Sequence, residues 1–325
     1  MVLIAPLVLA ICLDGCKKEE NPIKFPVGAF PDSVLKLSDI NSTFDDYNLD
    51  IHEINGNYAL IFSSNRGSSG GQFDMVQGMM EFNFSQTTGE FSLEANITQN
   101  TFYTKLLSKA NTGGNDFGPL TLFSSVDGYE YMVLSSVNQA GNLDLNYLKN
   151  RPVFNNNSPD VIGPFPVTYL NSNSDEAYLS FNINQDTAYF TSDRSGNFDI
   201  FLHKKPADTN LDTWFSQNFS GSVPVDSVNS ASDDKCPQIS KKIMVFTSNR
   251  SGGLGGYDLY YCIFRQGKWS SPVNFGPGIN SSSDEYRPVT GYHPEFSNNF
   301  LMFSSNRPGG KGGFDLYFTG FEFPK

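Results

Sequence analysis

Met302-Phe303-Ser304-Ser305-Asn306-Arg307 leads into a glycine-rich turn and then into Phe314-Asp315-Leu316-Tyr317. Apolar and polar residues alternate, a polar turn interrupts them, and the alternation resumes, which is the pattern of a β-hairpin. The phrase recurs at 245–260, 189–201 and 60–76. A worn copy occupies 133–145, with Val137 in place of the arginine. Upstream of the first-quoted copy stands a second landmark, Asn280-Ser281-Ser282-Ser283-Asp284-Glu285, and its counterparts lie at 229–234, 171–176, 111–116 and 41–46. Two landmarks repeated five times in one order indicate a propeller, a solenoid or an array.

The repeats cover nearly all of the 325 residues, so a single closed domain is expected. Glycine (29), phenylalanine (29) and tyrosine (15) are abundant and only 17% of residues are charged, which suits short strands joined by tight turns. No long stretch has helical periodicity. The segment 23–39 resembles 269–276, which ends another repeat, whereas the last repeat has no such ending of its own. Ring closure explains both facts: the N-terminal segment becomes the outermost strand of the last blade and leaves no open edge. The expected fold is therefore an all-β propeller of five four-stranded blades over residues 23–325. A formal net charge of −12 disfavours nucleic-acid partners.

The apolar run 2–13 is too short to span a bilayer and has the length of a signal-peptide core. It ends at Leu13-Asp14-Gly15-Cys16, which resembles a bacterial lipobox and implies a signal over 1–16 with lipid on Cys16. Residues 17–22 read as a tether, and Lys17-Lys18-Glu19-Glu20 resembles an outer-membrane export tag. The expected location is the outer membrane, lipid-anchored and surface-exposed, or otherwise the periplasm. Cys236 and Cys262 fall on the first and third strands of one blade, ~10 Å apart at the usual strand spacing and beyond disulfide reach, so free buried thiols are expected.

Polar residues recur with the repeats. Asp74, Asp144, Asp199, Asp258 and Asp315 open the third strands, and Arg66, Arg194, Arg250 and Arg307 stand before the same turns. A carboxylate–arginine clamp across each turn is expected, and turn capping as well, since Asp144 persists without an arginine. The pairs Asp45/Asp46, Asp175/Glu176, Asp233/Asp234 and Asp284/Glu285 open the innermost strands, with Asn115/Asp116 in the second repeat. Two readings are open for them: salt bridging between blades, or a cation or catalytic site at the axis. Residues in equivalent positions share similar environments, so they divide poorly into acid and base; catalysis would need unrepeated residues. His52, His203 and His293 show no metal-ligand spacing, and no metal or cofactor is expected. His203, beside Lys204-Lys205, reads as a solvated loop.

The phrases 246–250, 255–260 and 269–285 resemble the PD40 or TolB-type β-propeller repeats of Gram-negative envelope proteins. This resemblance implies a non-enzymatic binding or scaffolding propeller with a protein or glycan partner. The long turns of repeats 1, 4 and 5 adjoin around a closed ring, which makes Phe73, Tyr257, Lys311 and Phe314 the candidate binding face. The alternative is a carbohydrate-active enzyme on the same fold, drawing on unrepeated acids such as Glu130 and Glu295.

Overall fold

The computed structural model describes residues 22–54, 57–98, 101–150 and 161–323. The expected signal segment with Cys16, and most of the tether, lie outside the described residues. First in chain order is a two-residue strand, β1 (Leu35–Lys36). Blade I follows as β2 (Asp46–Ile54), β3 (Asn57–Ser64), β4 (Asp74–Phe84) and β5 (Phe91–Ile97). Helix α1 (Thr101–Ala110) leads to blade II, made of β6 (Asp116–Phe123), β7 (Glu130–Val137), β8 (Leu143–Asn150) and β9 (Ile162–Pro166). Blade III is β10 (Glu176–Phe181), β11 (Thr187–Ser192), β12 (Asp199–Lys204) and, after helix α2 (Leu211–Ser216), β13 (Val223–Pro224). Blade IV is β14 (Asp234–Ser240), β15 (Ile243–Ser248) and β16 (Asp258–Arg265), edged by β17 (Lys268–Trp269) and β18 (Val273–Asn274). Blade V is β19 (Glu285–Tyr292), β20 (Asn299–Ser305) and β21 (Asp315–Phe321), and β1 pairs antiparallel with β21 as its fourth strand.

The five-bladed propeller and its closure are thus as expected, but the ladder is only a small part of the closure. Leu35 and Lys36 alone pair with Phe318 and Tyr317. The rest of the segment adds scattered backbone bonds, among them Gly28 N–H to Glu295 O and Gly320 N–H to Pro31 O, and a buried side chain. Phe30 is buried among Phe82, Phe296, Phe300 and Phe318, stacked on Phe296 at 3.9 Å between centroids. Asn298 brackets the Phe30 backbone, accepting from its N–H at 2.8 Å and donating to its carbonyl at 2.9 Å.

Blades pack face to face because strand alternation gives each sheet two apolar faces. One apolar cluster lies between each adjacent pair of blades. Between I and II it contains Ile61 and Leu134; between V and I, Phe62 and Phe300. The cluster between II and III takes Trp214 and Phe215 from α2. Both helices are short and amphipathic, and sequence periodicity missed them. They also change one reading: His203 is 2% exposed on β12, where its Nδ1 accepts from Trp214 Nε1 at 3.1 Å. The two lysines after it suggested solvent, yet the alternation of β12 turns Phe201 and His203 inward. Cys236 and Cys262 are free and buried on β14 and β16, and burial pushes each thiol up to about 12.

Candidate functional site

The repeated polar residues meet on the face carrying the second hairpin turns, and the structure assigns them roles different from the expected clamp. Each arginine passes over its turn and grips the acid opening its own innermost strand. The Nη2 contacts are Arg66 to Asp46 at 2.5 Å, Arg194 to Glu176 at 2.9 Å and Arg307 to Glu285 at 2.9 Å; Arg250 binds Asp234 likewise. The same Nη2 atoms also donate to the carbonyls of Ile40, Leu170, Val228 and Ile279. The turn aspartates bond within their turns instead. Asp258 accepts from the Leu254 and Gly255 N–H groups, Asp315 from the Lys311 N–H, and Asp74, Asp144 and Asp199 from the amides of Gln72, Asn138 and Asn197. Blade II has Val137 instead of arginine, and burial raises the pKa of its Asp116.

These ion pairs lie within blades, so bridging between blades falls to hydrogen bonds. The first member of each pair reaches back to the preceding blade: Asp45, Asn115, Asp175, Asp233 and Asp284 accept from Phe314, Phe73, Leu143, Phe198 and Tyr257 N–H groups at 2.7–3.2 Å. Five asparagines make a second set of links. Asn41, Asn111, Asn171, Asn229 and Asn280 each hold both backbone groups of one residue on the preceding blade, respectively Leu316, Met75, Leu145, Ile200 and Leu259. The long glycine turns belong to the same joinery. A Cβ on Gly255 would overlap the Ser283 carbonyl of the next blade, and one on Gly312 would overlap that of Phe44.

Each residue of the candidate binding face has an internal partner. Phe73 and Phe314 pack on Tyr47 at 5.1 and 5.6 Å, the Tyr257 hydroxyl donates to Asp233 at 2.6 Å, and Lys311 Nζ donates to the carbonyls of Ser38 and Asn41.

With the repeated residues so engaged, the unrepeated ones define the site. Every innermost strand carries a bulge, and at each bulge one residue is left-handed: Asn48, Gly118, Tyr178, Cys236 and Arg287. These five occupy one register position, two residues past the strand's opening acid, yet share no chemistry. Gly118 leaves room that the Tyr178 ring fills, and Arg287 lies over that ring at 5.4 Å. Beyond this layer a cavity of ≈ 380 Å³ runs along the axis toward the opposite face, lined by all five innermost strands.

Two groups of opposite chemistry face this cavity. Asp50 is 7% exposed, and its Oδ2 accepts from Thr121 N–H at 2.8 Å and Thr121 Oγ1 at 2.7 Å. Burial raises its pKa, against the lowering pull of those bonds and of the Arg287 charge. Gln238 makes the equivalent link in blade IV, accepting from Thr290. An amide therefore suffices for the connection, and the carboxyl of Asp50 adds a proton-carrying group. Arg287 is 2% exposed; its Nη2 donates to Pro119 O at 3.0 Å, while its Nε and Nη1 have no protein partner among the described residues. Burying a cation without an ion pair is costly, and such features mark functional positions. Glu53 stands exposed at the rim. The acids singled out from the sequence lie elsewhere: Glu130 opens β7, where burial lifts its pKa to about 7, and Glu295 is exposed in the β19–β20 turn. Asp50 and Arg287 were missed because they match no motif. Their signal is a register column, four and two residues past the opening acid, in which the repeats stop agreeing.

No protein-family model matches the sequence, and no curated protein matches it. Solved structures do match the fold. A thermostable family-43 glycoside hydrolase is 14% identical with a TM-score of 0.55, over 89% of this chain and 93% of that one. The GH62 α-L-arabinofuranosidase catalytic domain of Coprinopsis cinerea is 11% identical with a TM-score of 0.54, over 91% and 98%. An endo-arabinase from Bacteroides thetaiotaomicron is 11% identical with a TM-score of 0.55, over 90% and 98%. At these identities the likeness is one of fold. The neighbours are five-bladed glycoside hydrolases and not PD40 or TolB-type repeat proteins, which corrects the resemblance drawn from the repeat phrases. It also overturns the expectation built on that resemblance, a non-enzymatic binding or scaffolding module. The repeat phrases describe how blades are fastened together, which belongs to the fold and leaves the function open.

Proposed function

We propose that this protein is a carbohydrate-active enzyme that hydrolyses a glycan bound in the axial cavity. The observation that carries the reading is Asp50: a buried carboxyl, unrepeated among the blades, facing a cavity where its neighbour Arg287 is also unrepeated. The likeness in fold, over about nine-tenths of this chain, to an α-L-arabinofuranosidase catalytic domain and an endo-arabinase supports it. Glycoside hydrolysis needs one carboxyl that keeps its proton and a second that meets water. Asp50 fits the first role, giving its proton to the leaving oxygen as the glycosidic bond breaks. Glu53, three residues on at ~10 Å along the strand, fits the second, taking a proton from the water that attacks the anomeric carbon.

Asp50→Asn keeps the bond from Thr121 and so should preserve the melting temperature while lowering turnover of pentose-based oligosaccharides and aryl glycosides by about 10²-fold or more. Because the carboxyl works while protonated, the wild-type rate should fall as pH rises through its elevated pKa. Full activity in the Asn variant would refute the assignment. We also propose that the enzyme is held at the outer membrane through Cys16. Cys16→Ser should move it to the soluble fraction, and unchanged membrane retention would exclude this anchor.

A further inference from the structure

Arg287 is the only lysine or arginine among the buried described residues. Its Nε and Nη1 have no protein partner among the described residues, and Nη2 keeps one N–H beyond its bond to Pro119, so one edge of the guanidinium, shared by Nη2 and either Nε or Nη1, matches a planar oxyanion with two parallel bonds. The chain around it is acidic overall, with a net charge of −12. Against that background the cations near the cavity are unevenly placed. A second groove of ≈ 470 Å³ runs outward between blades III and IV and shares Asn182, Ile183 and Ile239 with the axial cavity. Lys204, Lys241 and Lys268 line it, all exposed and without an ion pair among the described residues, over an apolar floor that includes Leu202 and Phe264. Asp226 is the one acid lining it. Lys241 lies over the Tyr292 ring at 4.2 Å, and Tyr292 lines the axial cavity, so Lys241 stands where the two spaces meet.

A neutral glycan explains neither the buried arginine nor the lysines leading to it. We infer that this path is built for an acidic oligosaccharide, a chain of uronate sugars whose terminal carboxylate is received by Arg287 while the following sugars run past Lys241 toward Lys268. The inference rests on the reading of the axial cavity as the substrate site, and it names the substrate class. Sulfate esters share the oxyanion chemistry, but they are tetrahedral and bulkier, and the planar fork favours the carboxylate.

The test is calorimetric binding to the full-length protein at neutral pH and low salt. The ligands are oligogalacturonates of two to four sugars, their methyl esters, sulfated counterparts and neutral oligosaccharides of equal length. The acids should bind at least about tenfold more tightly than the esters, the loss expected when a charge-assisted bond is removed. Arg287→Gln should abolish that preference, so that acids and esters of equal length bind alike. Lys241→Gln with Lys268→Gln, both at exposed positions, should weaken the tetramer more than the dimer. Equal binding of acids and esters to the wild-type protein would overturn the inference without reference to any variant, and tighter binding of the sulfated series would overturn the choice of carboxylate. The two readings separate cleanly. Asp50-dependent cleavage of neutral glycans with no preference for acids sinks this inference alone. Arg287-dependent binding of uronates with no cleavage sinks the hydrolase alone.

Discussion

At the scale of single residues, the arginines show what a buried carboxylate requires. Asp234 is wholly buried, and Arg250 supplies its counter-charge while tying down the Val228 carbonyl. Arg250→Met leaves that carboxylate without its cation, and should cost about 3 kcal/mol of unfolding free energy in denaturant titration. Blade II indicates how the loss would depend on pH. Its Asp116 has no arginine, and burial raises its pKa. Arg250→Met puts Asp234 in the same setting, a buried carboxyl with no arginine. A raised folded-state pKa means that the native state binds more protons than the unfolded state, so stability falls as pH rises. The deficit should therefore be larger at pH 8 than at pH 5, and adding Asp234→Asn should recover part of it. A deficit independent of pH would mean that the arginine acts through its bond to the Val228 carbonyl and its packing on Phe246 and Tyr260.

At the scale of elements, the closing segment holds by insertion more than by pairing. Its ladder is two residues long, whereas Phe30 sits in a ring of phenylalanines contributed by blades I and V. Phe30→Ala should cost about 3–5 kcal/mol, the range for a core aromatic, and should lower the melting temperature. A loss below 1 kcal/mol would show that the segment's backbone bonds suffice. The segment also shows how far the sequence is legible. Its kinship with 269–276 reveals where it goes, because strand order follows repeat order. How it holds depends on Asn298 and Phe296, some 270 residues away, and no local pattern reports such a contact. The same division explains the site. Turn aspartates and opening acids recur, so repetition exposes them. Asp50 becomes visible only when five strands are aligned on a bulge whose depth is a property of the folded ring. The pairing of Arg66 with Asp46 rather than Asp74 was illegible for a related reason: Asp74 is the nearer acid along the chain, and only the antiparallel pairing of β2 with β3 sets Asp46 opposite Ser64, beside the arginine.

At the scale of the whole molecule, the two mouths of the axis do different work. One is fastened by repeated residues, and the other is lined by residues that differ from blade to blade. The asparagine links at the fastened mouth have a kinetic consequence. Each holds the N–H of one third-strand residue: Leu316, Met75, Leu145, Ile200 and Leu259. In a closed ring no blade can swing away from one neighbour without straining its bond to the other. Deuterium should therefore reach those five amides only when the entire ring opens, and their protection factors should coincide with one another and with the global unfolding free energy. A spread of protection among them, read by exchange-detected NMR or mass spectrometry, would reveal the blade at which the circle first breaks.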